Sequence, residues 1–320
     1  MQNAEFGRST QRLIQMLRPE NVGTAAQTAM TWLKPPPIPP GVIRPIRRFP
    51  SFPATLGRLG ALEVRLAQQK RDVKRAQKLR YRVFYKDGTA IADATTMLAR
   101  RDKDAFDKIC DHLLVIDHAA KPSISGNQPV VGTYRLLRQD VAESHGGFYT
   151  EDEFDIADLI DRHGGLRFLE LGRSCVLPPY RNKRTVELLW HGIWTYVRQH
   201  RVDVMIGCAS FEGTDPDRLA LLLSFLHHFA QAPEAWRAAA HSSRRVEMNR
   251  LAKEAINPKA ALHELPPLIK GYLRLGAYVG DGAVIDHQFG TTDVLIVMPV
   301  SAIKARYIEH FGVDASRHAA

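Results

Sequence analysis

From residue 61 onward the chain switches between two hydrophobic periods. The stretch 62-LEVRLAQ-68 puts an apolar residue at every second position, which predicts a strand with one buried face. In 71-RDVKRAQKLRYRVFYKD-87 the apolar residues Val73, Ala76, Val83 and neighbouring Phe84 recur at the spacing of one helix face. Strands follow over 112–117 (HLLVID), 129–137 (PVVGTYRLL) and 168–177 (FLELGRSCVL). A helix is predicted over 185–200, an apolar strand over 202–211, and a helix over 215–229 that opens on an Asp and a proline. A short helix over 266–276 and a final strand over 291–300 complete the pattern. The order β-α-β-β-β-α-β-α-α-β describes one α/β unit built on a mixed sheet, with no internal repeat. The polar connections over 88–108, 138–165 and 230–265 are long enough to cover a site.

The first 60 residues do not share this pattern. The run 34-KPPPIPPGVIRPIRRFPSFP-53 excludes a regular helix or central strand, because proline fixes φ and removes a donor. The segment before it, 11-QRLIQMLRP-19, can form a short amphipathic turn. Residues 1–60 therefore read as a proline-rich basic arm, 61–300 as the folded domain, and 301–320 as a C-terminal helix or tail. The arm is either a solvated tail or a segment lying on anionic lipid.

Composition narrows the classes. At 45% hydrophobic residues the 320-residue chain can bury a sizeable core. The net charge of +10 favours an acidic partner, and the arm holds eight basic against two acidic residues. No nucleic-acid motif or aromatic-interleaved basic stretch is visible. Cys110, Cys175 and Cys208 lie far apart with no metal-ligand spacing, so neither a disulfide frame nor a zinc site is supported, which fits a reducing compartment. No signal peptide or membrane-spanning run is recognised, so the expected location is cytoplasmic, with at most peripheral contact to the inner membrane.

Candidate chemistry centres on 168-FLELGRSCVL-177. Glu170 and Arg173 lie in an otherwise apolar strand, three positions apart, and ordinary alternation would point them to opposite faces. Gly172 between them is a candidate bulge, and one extra residue would bring the two charges to one face. Their structural alternative is an internal salt bridge. Arg80 falls inside the apolar stripe of helix 71–87, where it must snorkel, pair or hold an anion. Asp104 and Asp107 in 104-DAFD-107, and Arg135 in the strand GTYRLL, complete a set of three cations and three carboxylates, which suits a zwitterion such as a free amino acid. The loop 178-PPYRNKRT-185 carries Arg181, Lys183 and Arg184 into a helix start, an arrangement suited to an anion. Neither a Walker loop nor a GxGxxG fingerprint is present.

Together LRYRVF, DAFD, GTYRLL and LELGRSCV resemble the acyl-carrier-protein-dependent branch of the GNAT acyltransferases, over roughly residues 60–300. That branch includes acyl-homoserine lactone synthases and ornithine N-acyltransferases. 182-NKRTVELLWHGIWTYV-197 and 207-GCASFEGTDP-216 are most similar to the latter. The resemblance implies a GNAT-like, strongly twisted mixed sheet flanked by helices, with splayed central parallel strands. It implies acyl transfer from acyl carrier protein to the α-amine of ornithine, forming lyso-ornithine lipid, with no permanently bound cofactor and the acyl-phosphopantetheine arm as co-substrate. Glu170 and Arg173 would be catalytic, with Glu170 as the base. Arg80, Phe84, Asp104, Asp107 and Arg135 would bind the acceptor. Cys175, Val176, Arg181, Lys183, Arg184 and Thr185 would face phosphopantetheine and its carrier. The lactone synthases usually have a tryptophan about ten residues after the helix arginine; here position 90 is Ala. Lactone synthesis is thus the same-fold rival, and a non-catalytic basic binder of membrane or nucleic acid is the rival from another class.

Other signals are set aside. His112 and Asp117 match the H-x4-D spacing of glycerolipid acyltransferases, but residues five apart on a strand face opposite ways. His227 and His228 read as packing residues, and Cys175 and Cys208 as small buried side chains rather than nucleophiles.

Overall fold

The computed structural model describes residues 55–303, apart from position 125. Its centre is a nine-stranded sheet in the order β1-β2-β3-β4-β5-β6-β9-β8-β7. The strands are β1 (Thr55–Leu59), β2 (Leu62–Leu66), β3 (Asp111–Asp117), β4 (Val130–Arg138), β5 (Phe168–Val176), β6 (Val204–Glu212), β7 (Arg245–Val246), β8 (Tyr278–Asp286) and β9 (Thr291–Pro299). Every neighbouring pair is antiparallel except β5 and β6, which are parallel. The helices are α1 (Lys70–Tyr81), α2 (Ala94–Ala99), α3 (Gln139–Glu143), α4 (Ala157–Arg162), α5 (Lys183–His200), α6 (Ala220–Ala230), α7 (Pro258–Glu264) and α8 (Pro267–Leu275). This is the mixed, helix-flanked α/β sheet that the sequence implies.

Strand alternation sorts the core into two faces. On β3, Leu113 and Val115 join the large cluster under α5, while Leu114 and Ile116 face α1 with Val73, Ala76 and Val83. Gly192 lets α5 settle on the sheet, since a Cβ there would press on Val64 and Leu113. A third cluster joins Phe168 of β5 and Val204 and Ile206 of β6 to Phe148, Phe154 and Leu159 from the 138–165 connection. That connection therefore does lie over the central strands.

Some elements differ from the sequence pattern. β1 extends the sheet into the span assigned to the arm; the rest of the arm, residues 1–54, lies outside the described residues, as does 304–320 of the proposed tail. The helix expected over 71–87 is α-helical only to Tyr81 and continues as a π turn over Arg82–Lys86. α6 begins at Ala220 rather than 215, because Asp215 accepts from the Asp217 N–H and holds a turn there. β8 has no clean period of two, since Gly280 and Gly282 flank Asp281 and its register with β9 shifts between Val279 and Ala283.

The central feature is where β5 and β6 part. They pair from Phe168/Val204 to Glu170/Ile206 and no further, although β5 runs on to Val176 and β6 to Glu212. At the parting point Gly207 passes so close to β5 that a Cβ would collide with the Leu171 carbonyl oxygen. Gly271 in α8, by contrast, faces open space. Gly207→Ala should lower stability by about 1–3 kcal/mol through overpacking, and Gly271→Ala should raise it by roughly 0.5–1 kcal/mol. Thermal unfolding of the two variants checks this; equal midpoints would contradict the close approach.

Candidate active site

A cavity of about 450 Å³ opens where β5 and β6 separate. Phe84, Arg135, Tyr149, Glu170, Arg173 and Cys208 are among the residues on its wall. β5 delivers two of them through a bulge. Arg135 of β4 pairs with Gly172, but Thr133 pairs with Cys175, so β5 carries one extra residue across Arg173 and Ser174. Arg173 itself takes the left-handed conformation, φ 49°, which is uncommon for a residue with a Cβ. The extra residue flips the alternation. Leu169 and Leu171 face the α5 side, whereas Arg173 turns to the side of Glu170. Gly172 thus borders the bulge, and an arginine rather than the glycine adopts the strained backbone.

Arg173 is held by stacking and by charge. Its guanidinium lies 4.7 Å from the ring centroids of both Tyr149 and Phe289, and Nη2 donates to Asp104 Oδ2 at 3.3 Å. Arg135, only 1% exposed, donates through Nη1 to Asp104 at 2.7 Å. Its Nε and Nη2 have no hydrogen-bond partner. Arg80, fully buried, pairs with Asp102 at 2.7 Å and with Asp107 at 2.8 Å, and Asp107 also accepts from Gln77 Nε2. Asp104 is held well down, to about 2, despite burial, because Arg135 and Arg173 flank it.

These contacts redistribute the roles expected from sequence. Phe84, Arg135, Glu170 and Arg173 reach the cavity, but Arg80, Asp104 and Asp107 are not on its wall. Asp102, Asp104 and Asp107 are engaged with Arg80, Arg135 and Arg173, three carboxylates to three guanidiniums. Breaking one buried pair of this kind costs about 3–5 kcal/mol, since the partner is left buried and charged. Asp104 and Asp107 therefore fix the site's arginines. Cys175 also lies off the cavity wall. The bulge turns it into the α1 cluster, away from the cavity, and burial pushes its thiol up to about 12.

The basic loop is split in the same way. Arg181 lines the cavity and donates from Nε to the Val176 carbonyl at 3.0 Å. Val176 packs against the α5-side core, and Thr185 is buried, donating its N–H to the Asn182 cap of α5. Lys183 is 88% exposed beside Glu187, and the Arg184 guanidinium lies at Gly60 in the β1–β2 turn. His112 hydrogen-bonds the Asp107 carbonyl while Asp117 accepts from Tyr180 at 2.7 Å, so the two serve separate contacts.

Glu170 is 2% exposed and accepts from the Thr150 N–H at 2.9 Å. Burial raises its proton affinity above that of an ordinary carboxylate, opposed by the Thr150 contact and by Arg135 and Arg173. The sequence pattern gave no weight to a further group. Glu153, from the 138–165 connection, meets Asp286 at the end of β8 and Asp293 of β9, with one ligand atom of each within 4.8 Å of the others. Asp286 and Asp293 line the same cavity. Burial, and then Asp293, push Glu153 up to about 7. The three lie far apart in sequence, so only the sheet order could have joined them. Cys208, also on the wall, has its thiol pushed well up by burial.

The parted parallel strands and this cavity are those of a GNAT-type acyltransferase, and residues 79–191 match the Acetyltransferase (GNAT) domain family. The chain is 55% identical over 263 residues to the L-ornithine N(alpha)-acyltransferase of Agrobacterium fabrum, covering 82% of this chain and 88% of that protein. It is 41% identical over 249 residues to the enzyme of that name from Rhodobacter capsulatus, covering 78% and 94%. Among solved structures, FeeM, an N-acyl amino acid synthase from uncultured soil microbes, aligns with a TM-score of 0.44 at 10% identity, over 77% of this chain and 97% of that one. The chain belongs to the L-ornithine N(alpha)-acyltransferase family and is an acyltransferase.

Glu153 makes stability depend on pH. In the unfolded chain it ionises near 4.5, in the fold near 7, so the fold binds the extra proton between those values. Stability should fall as pH rises through that window and level off above it. Glu153→Gln cannot ionise, so its stability should fall less across the window in urea unfolding; Glu170 and Asp293, also raised, keep a residual slope of the same sign. Identical slopes in wild type and variant would contradict the assignment.

Proposed function

We propose that this protein transfers a fatty acyl group, including 3-hydroxyacyl chains, from acyl carrier protein to the α-amine of ornithine, giving lyso-ornithine lipid. One observation carries the reading: a buried carboxylate, Glu170, stands at the parting of β5 and β6, beside a guanidinium with unpaired N–H groups. The phosphopantetheine arm lies in the gap between the strands. Arg135, with Arg173, takes the acceptor carboxylate through a charge-assisted contact. The names of the relatives support ornithine as that acceptor.

The amine attacks the thioester carbonyl, a C–N bond forms, the C–S bond breaks, and the carrier leaves as its free thiol. Glu170 accepts the amine proton directly or through water; its raised proton affinity narrows the gap to the amine it serves. A backbone N–H near the bulge stabilises the oxyanion. Transfer is direct, since the Cys208 thiol is held protonated and suits no covalent intermediate. No resident cofactor is required. The carrier protein is acidic, and Arg181, Lys183 and Arg184 steer it to the mouth of the gap. No helix among the described residues is long and apolar enough to cross a membrane. The acylated product partitions to a membrane surface, where the basic residues ahead of β1 contact anionic lipid.

The test is thiol release from acyl carrier protein thioester or acyl-coenzyme A, with ornithine or S-adenosylmethionine as acceptor. Carrier thioester with ornithine should be the productive pair, and Glu170→Gln should lower kcat by about 100-fold or more with little change in KM. Turnover with S-adenosylmethionine would favour lactone synthesis, and full turnover by the variant would remove Glu170 as the base.

A further inference from the structure

We infer that Glu153, Asp286 and Asp293 form the subsite that reads the side-chain ammonium of the acceptor, so that the enzyme selects a diamino acid over neutral amino acids. The inference rests on the reading of ornithine as acceptor and assigns the residues that distinguish it.

The cavity has two poles of unmet charge. At one, Arg135 is 1% exposed and its Nε and Nη2 find no partner. At the other, Asp293 lines the cavity, 7% exposed, and Glu153, 2% exposed, lies beside it off the wall; Ser210 and Thr291 bond the Asp293 side chain and Cys208 that of Glu153, but Glu153 Oε2 and Asp293 Oδ1 find no partner. Buried charges left unpaired are costly, a cost seen in the raised proton affinity of Glu153 and Asp293, and a ligand group of opposite sign relieves it at each pole. Glu153 has a cation at 3.7 Å, Arg244, but that side chain is 38% exposed and approaches the other carboxylate oxygen, Oε1. A ligand joining the poles has a carboxylate at one end and a cation at the other, beyond its α-amine.

The spacing along the wall agrees. Glu170 accepts from the Thr150 N–H at 2.9 Å, and Thr150 Oγ1 lies 3.9 Å from Cys208 Sγ. Cys208 in turn lies beside Glu153, whose proton affinity it lowers. Two residues, Thr150 and Cys208, thus link the carboxylate that faces the α-amine to the acidic trio. Three methylenes separate the Cα of ornithine from its second nitrogen, so its side chain carries a cation beyond the α-amine. Charge balance points the same way. Asp102, Asp104 and Asp107 engage the three arginines, which leaves Glu170, Asp286 and Asp293 against Arg181 on the wall, a balance that suits an acceptor with a second cationic group. Three carboxylates from three separate elements also surround an ammonium better than a single ion pair does, since each N–H finds its own acceptor.

The test compares ornithine with norvaline, which keeps the carbon skeleton and loses the ammonium, using the full-length enzyme and acyl carrier protein thioester. Wild type should favour ornithine in kcat/KM by about 100-fold or more, as expected when a buried charge is left unpaired by the wrong substrate. Asp293→Asn and Asp286→Asn should each cut that preference at least about tenfold, through a raised KM for ornithine rather than a lowered kcat. Asp286 is the less buried of the two and its Oδ1 accepts the turn N–H groups of Gln288 and Phe289, a role asparagine can keep, so that variant serves if Asp293→Asn does not fold. An unchanged preference in the folded variants overturns the inference while leaving ornithine acylation standing. Equal use of norvaline by wild type overturns it as well, and so does ornithine turnover that is lost to EDTA and restored by a divalent cation, which would make the trio a metal site. A wild type that acylates neither acceptor defeats the ornithine reading itself, and the inference with it.

Discussion

β5 and β6 stop pairing after Glu170 and Ile206, and whatever lies past that point must be held by side chains instead of by the ladder. Two devices hold it. Gly207 allows the strands to touch at the parting point without a Cβ in the way. The bulge at Arg173 then swings a guanidinium between Tyr149 and Phe289, which closes the wall that the missing ladder leaves open. The strained backbone at Arg173 sits where the cavity begins, which is where such strain tends to be kept.

Charge is arranged in two tiers. Behind the cavity wall, three aspartates engage Arg80 and the two wall arginines, Arg135 and Arg173, in an ion-paired lattice. On the wall itself, Arg135 keeps unpaired N–H groups, while Glu170, Asp286 and Asp293 face the space. The lower tier keeps Arg135 and Arg173 charged and fixed. The upper tier is left free to answer a zwitterion.

Much of this was legible in the sequence. The periods of two and 3.6 located the central strands and α1 and α5, and Gly172 signalled the bulge to within one residue. Arg80 announced itself by sitting in an apolar stripe, and the structure resolves its three options in favour of pairing. What the sequence could not show was partnership. Asp104 and Asp107 looked like acceptor ligands because spacing along the chain reveals a carboxylate but not the arginine beneath it. Asp102, the third member of the lattice, drew no notice for the same reason. Glu153, Asp286 and Asp293 come from a long connection and two strands that meet only through the sheet order, so no local pattern joins them. β8 hid behind Gly280 and Gly282, which break the alternation that marks a strand.

The central claim is that the space between the parted strands receives the acyl chain while the two poles of the cavity receive the amino acid. A crystal structure with an N-acylornithine bound tests it most directly. The account predicts the amide at the gap just past Glu170 and Ile206, the carboxylate on the free N–H groups of Arg135, and the side-chain nitrogen among Glu153, Asp286 and Asp293. A ligand bound elsewhere, with β5 and β6 closed up beside Gly207, would contradict it.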